Sequence, residues 1–360
     1  LLSLLSGVAL AVVGVAAAPV LLSWMGTPAD VLDQAVLYMR IYFAGMPVIM
    51  LYNFGSAILR AVGDTKRPLY FLFIAGLVNV GLNLFFVIVW HMGVAGVALA
   101  TVLSQIISAA LVLACLVRSE AGYRVNLRKL HIYKDKFLQI VKIGVPAGIQ
   151  GAMFSISNVL IQSSINSFGS IAMAGNTAAS NIEGFVYTSM NAIYQTGLSF
   201  TSQNMGAKNY PRINRILLEC VGIVTVAGLV MGWVALLFGH SLLGIYSSDQ
   251  EVITYGINRM WVICSTYFVC GIMDLVSGFL RGMGYSMMPT LVSLTGVCGL
   301  RVLWIFTVFA WNRSLFTLYL SYPISWVITG VAHLICYVWG MRKLKAKQAA
   351  EAPLAQSAST

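Results

Sequence analysis

Long apolar runs follow one another along almost the whole chain, at 1–24, 31–59, 68–90, 94–117, 139–167, 171–203, 216–243, 252–280, 287–311 and 314–341, each closed by a short polar connection. A membrane-spanning helix needs about 20 largely apolar residues, so the pattern predicts ten transmembrane helices. A membrane barrel strand would show only about ten residues of strict alternation, and no such rhythm is present. Short connections such as His91-Met92-Gly93 and Ser167-Phe168-Gly169 make neighbouring helices antiparallel. Only residues 119–138 form a long polar connection. The predicted organisation is therefore an all-α polytopic membrane protein: an N-lobe of four helices over 1–118, a linker over 119–138, a C-lobe of six helices over 139–342, and a disordered tail over 343–360. Internal Pro19, Pro47, Pro146 and Pro323 predict kinked helices, because each removes a backbone hydrogen bond.

The first lobe returns 221 positions later. Leu59, Arg60, Gly63, Pro68, Trp90 and Cys115 fall on Leu280, Arg281, Gly284, Pro289, Trp311 and Cys336, and Ser104 falls on Ser325. Such a duplication predicts two pseudo-symmetric six-helix lobes related by a parallel repeat. Residues from 137 to about 220 have no earlier partner, which places roughly 85 residues of half-repeat, or two helices, ahead of Leu1. Ten of twelve helices are then expected here.

Composition agrees with a lipid solvent: 59% of residues are hydrophobic and 9% charged, with a mean hydropathy of +0.84. The net charge of +11 could suggest nucleic acid, but its placement argues otherwise. Of 22 basic residues, 18 lie in the connections after the even-numbered runs, one, Arg313, lies on the other side, and Arg40, Arg259 and Arg301 lie within helices. By the positive-inside rule the basic side is cytoplasmic, carrying the linker and the C-terminus of a protein of the bacterial inner membrane. No nucleic acid partner is expected, and the chain is expected to act as a monomer in the bilayer. The six cysteines sit in apolar runs without metal-ligand spacing and read as small core residues.

Candidate chemistry concentrates on a few helices. Asn176, Ser180, Glu183, Tyr187, Asn191, Tyr194 and Gln195 recur at helical spacing and form one polar face of the sixth run. A carboxylate held in hydrocarbon costs a few kcal/mol, so this face is predicted to line an interior cavity, or to bond to neighbouring helices. Glu183 and Asp274 are the two deep acids; Asp274 lies about two turns before Arg281, and its repeat partner is the neutral Asn53. A carboxylate that can release one cation and accept another makes an exchange site for H⁺, Na⁺ or a cationic substrate. For Asp274 the alternative is a structural partner for Arg259 or Arg301. Arg301, opposite Val80 in the first copy, needs an anion: one of these acids or a substrate group. Gln150 and Asn53 are further candidate cavity residues. Asn79 and Asn83 read as cavity lining or as bridges between helices, and His333 as a satisfied membrane histidine. No phosphate loop, metal cluster or nucleophile elbow is present, so a non-enzymatic transporter without cofactor is expected. The enzymatic alternative is an intramembrane hydrolase that uses Glu183 and Asp274 as an acid pair.

The stretches Leu59-Arg60-Ala61-Val62-Gly63-Asp64-Thr65-Lys66-Arg67-Pro68, Leu280-Arg281-Gly282-Met283-Gly284-Tyr285 and Gln203-Asn204-Met205-Gly206-Ala207-Lys208 resemble the multidrug and toxic compound extrusion (MATE) family, and the resemblance extends to about residue 342. It implies twelve helices in two lobes that alternate in access, exporting organic cations and other drugs against H⁺ or Na⁺. It also implies a coupling acid on the helix of Asp274, where Na⁺ would be the one metal ion to expect. In the helix that opens the second lobe, where the resemblance implies a further acid, the corresponding stretch offers Gln150, Ser155, Ser157 and Asn158, none ionisable. A flippase for a lipid-linked sugar or cell-wall precursor is the alternative, with Arg301, aided by Arg259 or Arg40, as its pyrophosphate contact.

Overall fold

The computed structural model describes residues 1–24, 29–120 and 122–357. Among them every regular element is helical. In chain order these are α1 Leu2–Trp24, α2 Ala29–Ala44, α3 Met46–Ala61, α4 Lys66–Leu84 with a wider π turn over Phe85–Val89, α5 Gly93–Arg118, a 3₁₀ turn Leu127–Lys129, α6 Lys134–Asn166, α7 Ser170–Gly206, α8 Tyr210–Leu237, α9 Gly239–Gly244, α10 Gln250–Gly282, α11 Met287–Ser293 with a π turn over Leu294–Gly299, α12 Leu300–Phe306, α13 Val308–Trp311 and α14 Leu315–Ser357. Two compact units result, Leu1–Phe137 and Leu138–Thr360, so the polar connection groups with the first unit.

Eight of the described helices are long and apolar enough to span a membrane, or nine if the bent pair α2–α3 is one span. The prediction was ten. The difference is α7, which has length to spare at 37 residues but whose polar face lowers its hydropathy. The tail also departs from expectation: α14 continues as helix to Ser357 instead of fraying at Lys343. The good helix formers Ala346, Gln348, Ala349, Ala350 and Glu351 favour that continuation. The tail's last residues, 358–360, lie outside the described ones, as do 25–28 of one predicted connection.

In the N-terminal unit, Tyr52 and Leu59 of α3 pack with Ala109, Val112 and Leu116 of α5. The chain bends by 48° between α2 and α3, at Gly45 with Pro47 in the first turn of α3. In the C-terminal unit α10 is the axis. It packs against α7, α8 and α14, and its Leu275, Val276, Phe279 and Leu280 are fully buried among Val186, Met190 and Val224. The crossing of α7 and α10 is close because both are glycine there: a Cβ on Gly175 would strike the Val252 carbonyl and the Gly256 amide. Large apolar side chains such as Phe73, Val159, Leu218 and Leu237 remain exposed on the outside of their units, as lipid-facing positions require.

Candidate functional site

The polar face of α7 meets α10 along a ladder inside the C-terminal unit. Tyr187 Oη donates to Asp274 Oδ2 at 3.3 Å, and Arg281 Nη1 donates to Tyr194 Oη at 2.8 Å. Both pairs are 87 residues apart, so the two helices run parallel here and repeat their contacts after seven residues, or about two turns. One to two turns further toward the N-terminus of α7, the Arg259 guanidinium grips the Glu183 carboxylate with both edges, Nε to Oε1 at 2.9 Å and Nη2 to Oε2 at 2.7 Å. Its remaining nitrogen donates to Asn176 Oδ1 at 2.7 Å, and Asn176 Nδ2 donates to Gln162 Oε1 of α6 at 2.8 Å. Arg259 is 5% and Glu183 4% exposed. Tyr319 and Tyr322 of α14 lie 5.6 and 5.4 Å from the guanidinium carbon, so stacking occupies its face while hydrogen bonds occupy its edge.

The two deep acids are thus placed differently. Glu183 is neutralised by a bidentate partner. Asp274 makes no ion pair within 4.0 Å among the described residues, and its one hydrogen bond, from Tyr187, is long for an O–H donor. Most of the acceptor capacity of its carboxylate stays unused. Arg281, two turns on, spends Nη2 on Gln150 of α6 and Nη1 on Tyr194. Arg301 donates through Nε to Ser325 Oγ at 3.1 Å and lies 4.2 Å above the Tyr322 ring; it neutralises neither acid.

Three neighbouring cavities follow this ladder. One of about 320 Å³ is lined by Gln162, Asn176, Ser180, Glu183, Tyr187 and Arg259 together with Tyr267, Tyr322 and Trp326. The next, about 330 Å³, is lined by Phe154, Asn158, Tyr187, Tyr267, Asp274, Arg301, Tyr322 and Trp326. The third, about 150 Å³, is lined by Gln150, Tyr187, Asn191, Tyr194, Gln195, Asp274 and Arg281. Tyr187 touches all three. None of the three is lined by both acids, which removes the geometric basis for a hydrolytic acid pair.

Nearly every sequence-selected residue of the second lobe reaches this seam: Asn176, Ser180, Tyr187, Asn191, Tyr194, Gln195, Gln150 and Arg301 all line a cavity. Asn53 does not. It is exposed on α3 of the N-terminal unit, because a repeat partner shares a position in its own unit, not a location in space. Asn79 and Asn83 bond to each other, and Asn79 reaches Ser104, so the pair bridges α4 to α5. His333 is fully buried, with ring nitrogens 3.3 Å from the Met273 carbonyl and 3.2 Å from that of Pro289. Sequence reasoning did not identify Arg259 as the partner of Glu183, nor the aromatic wall of Tyr267, Tyr322 and Trp326. A signal existed for α10: Arg259, Ile263, Tyr267, Cys270, Asp274, Ser277 and Arg281 step by four, four, three, four, three and four, which is a single helix face. Among the described residues no group of three His, Cys, Asp or Glu side chains could hold a metal ion.

The family model described as MatE matches residues 1–85 and 146–307. The probable multidrug resistance protein YoeA of Bacillus subtilis (strain 168) is 25% identical over 333 residues, covering 90% of this chain and 72% of that protein. The probable multidrug resistance protein YpnP of the same organism is 28% identical over 284 residues, 78% of this chain and 63% of its own length. The multidrug export protein MepA of Staphylococcus aureus (strain MW2) is 20% identical over 274 residues, 75% and 60% respectively. The chain therefore spans between about three fifths and three quarters of these relatives. Among solved structures, a MATE protein in its bent conformation superposes with a TM-score of 0.85 at 20% identity, over 98% of this chain and 78% of the other. An outward-facing multidrug resistance MATE family transporter of the MOP superfamily gives 0.86 at 22%, over 96% and 77%. These likenesses establish the fold.

Proposed function

The chain belongs to the MatE family, and from that premise we propose that it is a secondary active antiporter of the bacterial inner membrane, exporting organic cations and related drugs in exchange for H⁺ or Na⁺ by alternating access. It acts as a monomer with its basic connections and C-terminus in the cytoplasm. Asp274 is the exchanging carboxylate. The observation that supports this assignment is the contrast between the two deep acids: Glu183 is charge-compensated by Arg259, whereas Asp274 faces two cavities with a single neutral hydrogen-bond donor. An acid so placed gains from a cation of any kind. Coupling then needs no further device, because ion and substrate that compete for one carboxylate exclude each other. Glu183 serves by holding Arg259, and through it the α7–α10–α14 wall, in register.

The experiment is export of a cationic dye from vesicles carrying the whole chain. Asp274→Asn keeps the shape and removes the charge; it should lower ion-driven exchange by at least about tenfold, the scale of losing one charge-assisted contact. Exchange equal to that of the parent would refute the assignment. The flippase reading has less to stand on, since Arg259 is committed to Glu183 and Arg301 is the one guanidinium among the described residues that lines the 330 Å³ cavity, where a pyrophosphate would call for several.

A further inference from the structure

Arg301 is 5% exposed, lies within the membrane-spanning part of the C-terminal unit, and has no acidic partner within 4.0 Å among the described residues. Its Nε bonds to Ser325; its two terminal nitrogens have no hydrogen-bond partner there. Of the other two guanidinium groups of the seam, Arg259 is engaged on all three nitrogens by Glu183 and Asn176, and Arg281 spends both terminal nitrogens on Gln150 and Tyr194, only its buried Nε being without a partner. Tyr322 at 4.2 Å and Trp326 at 6.0 Å cover the face of the Arg301 group. Stacking of that kind uses the π face and leaves the in-plane N–H edge available, which is the geometry that matches a planar oxyanion. That group forms one wall of the 330 Å³ cavity, whose other walls include Phe154, Tyr267 and Asp274.

We propose that Arg301 is an anion-binding subsite of this cavity and takes the carboxylate of an aromatic ligand, whose ring lies against Tyr322, Trp326 and Phe154. The inference rests on the reading of the cavity as the transport site. The desolvation of the guanidinium is already borne by the fold, so an arriving carboxylate gains charge-assisted bonds from a preorganised donor. One guanidinium suits one carboxylate; a pyrophosphate would call for several. Asp274 shares the cavity, and a cation bound to it, whether H⁺, Na⁺ or an amine of the ligand itself, removes its repulsion of the incoming anion.

Indole-3-acetate and indole-3-acetamide test this directly, because they share ring and shape and differ in charge. Equilibrium dialysis against the purified whole chain should show the acid bound at least about tenfold more tightly than the amide. Arg301→Met should abolish that preference and Arg301→Lys should keep part of it. Ser325→Ala, a gentler change that removes the anchor holding Arg301 Nε in place, should reduce the preference without removing the charge, and thermal unfolding of each variant verifies the fold. Equal binding of acid and amide by the parent, or a preference that survives Arg301→Met, overturns the subsite. Equal binding combined with lost dye exchange in Asp274→Asn refutes the subsite alone. Preferential acid binding combined with undiminished exchange in Asp274→Asn supports the subsite and refutes the coupling role.

Discussion

The helix α10 and the pair α2–α3 are copies of one another, 221 residues apart, and they have diverged in opposite directions. Both end in the same turn. Gly63 donates to the Arg60 carbonyl and Asp64 to that of Leu59; Gly284 donates to the Arg281 carbonyl and Tyr285 to that of Leu280, all at 2.9 to 3.0 Å. Both glycines have φ of +91°, and both leucines are wholly buried. Above that turn the likeness ends. The first copy carries Pro47 and bends at Gly45; the second has Phe268 and Thr266 there and is one unbroken helix. A straight rod can present Arg259, Tyr267, Asp274 and Arg281 in line to α7, whereas the bent copy has Tyr38, Met46, Asn53 and Arg60 at those positions. Duplication thus preserved the element that terminates the helix, while the polar chemistry was built into one copy only.

The largest expected effect breaks the part that has no counterpart. Removing one member of the Arg259–Glu183 pair, as in Glu183→Ala, leaves a buried charge unpaired and should cost about 3–5 kcal/mol, read as lost thermal stability in detergent. The double variant Glu183→Gln with Arg259→Met should recover most of it. A single-variant loss below about 1 kcal/mol would mean that water reaches the pair and that its burial has been overstated.

A smaller effect sharpens the comparison at one shared residue. Ser104 and Ser325 are repeat partners, and each accepts from the preceding membrane span of its own unit: Ser104 from Asn79 at 3.4 Å, Ser325 from Arg301 at 3.1 Å. The same hydroxyl serves a neutral amide in one unit and a guanidinium in the other. Bonds to charged groups contribute about 1.5–3 kcal/mol against roughly 0.5–1.5 for neutral ones, so Ser325→Ala should destabilise more than Ser104→Ala. Equal losses would show that the hydroxyls matter only through their bonds to their own helices, to the carbonyls of Tyr322 and Thr101.

What could be read in advance follows from how each feature is encoded. Helix positions and the duplication are carried by runs of many residues, so single exceptions do not hide them, and the polar face that sets α7 apart is also what lowers its hydropathy below that of its neighbours. The polar face from Asn176 to Gln195 was legible because helical spacing depends on one element alone. Its partners were not, because the Glu183–Arg259 contact joins residues 76 apart and depends on how α7 and α10 approach at Gly175 and Gly256. Asn53 shows the limit of the repeat: a register match between copies gives it a position in its own unit, away from the seam of the second. The stacking of Arg301 on Tyr322 crosses from α12 to α14 and leaves no trace in either helix's own periodicity.

The smallest effect should be the same in both units, and that equality is the test. Neither Gly63 nor Gly284 has any atom within 4 Å of where a Cβ would stand, so Gly→Ala at either position meets no steric obstacle. What remains is backbone. Holding an alanine in the left-handed region costs about 1–2 kcal/mol, while the loss of glycine's freedom in the unfolded chain returns about 0.4–1, leaving a net destabilisation near 1 kcal/mol. Hydrogen exchange reads this locally, because the Asp64 and Tyr285 amides donate across these two turns. Each should exchange about fivefold faster in its own variant, with the other turn unaffected. A markedly larger change at Gly284 than at Gly63 would mean that the second turn is coupled to the bonds that Arg281, a residue of that turn, makes to Gln150 and Tyr194, and that even the shared half of the comparison has been drawn into the polar seam.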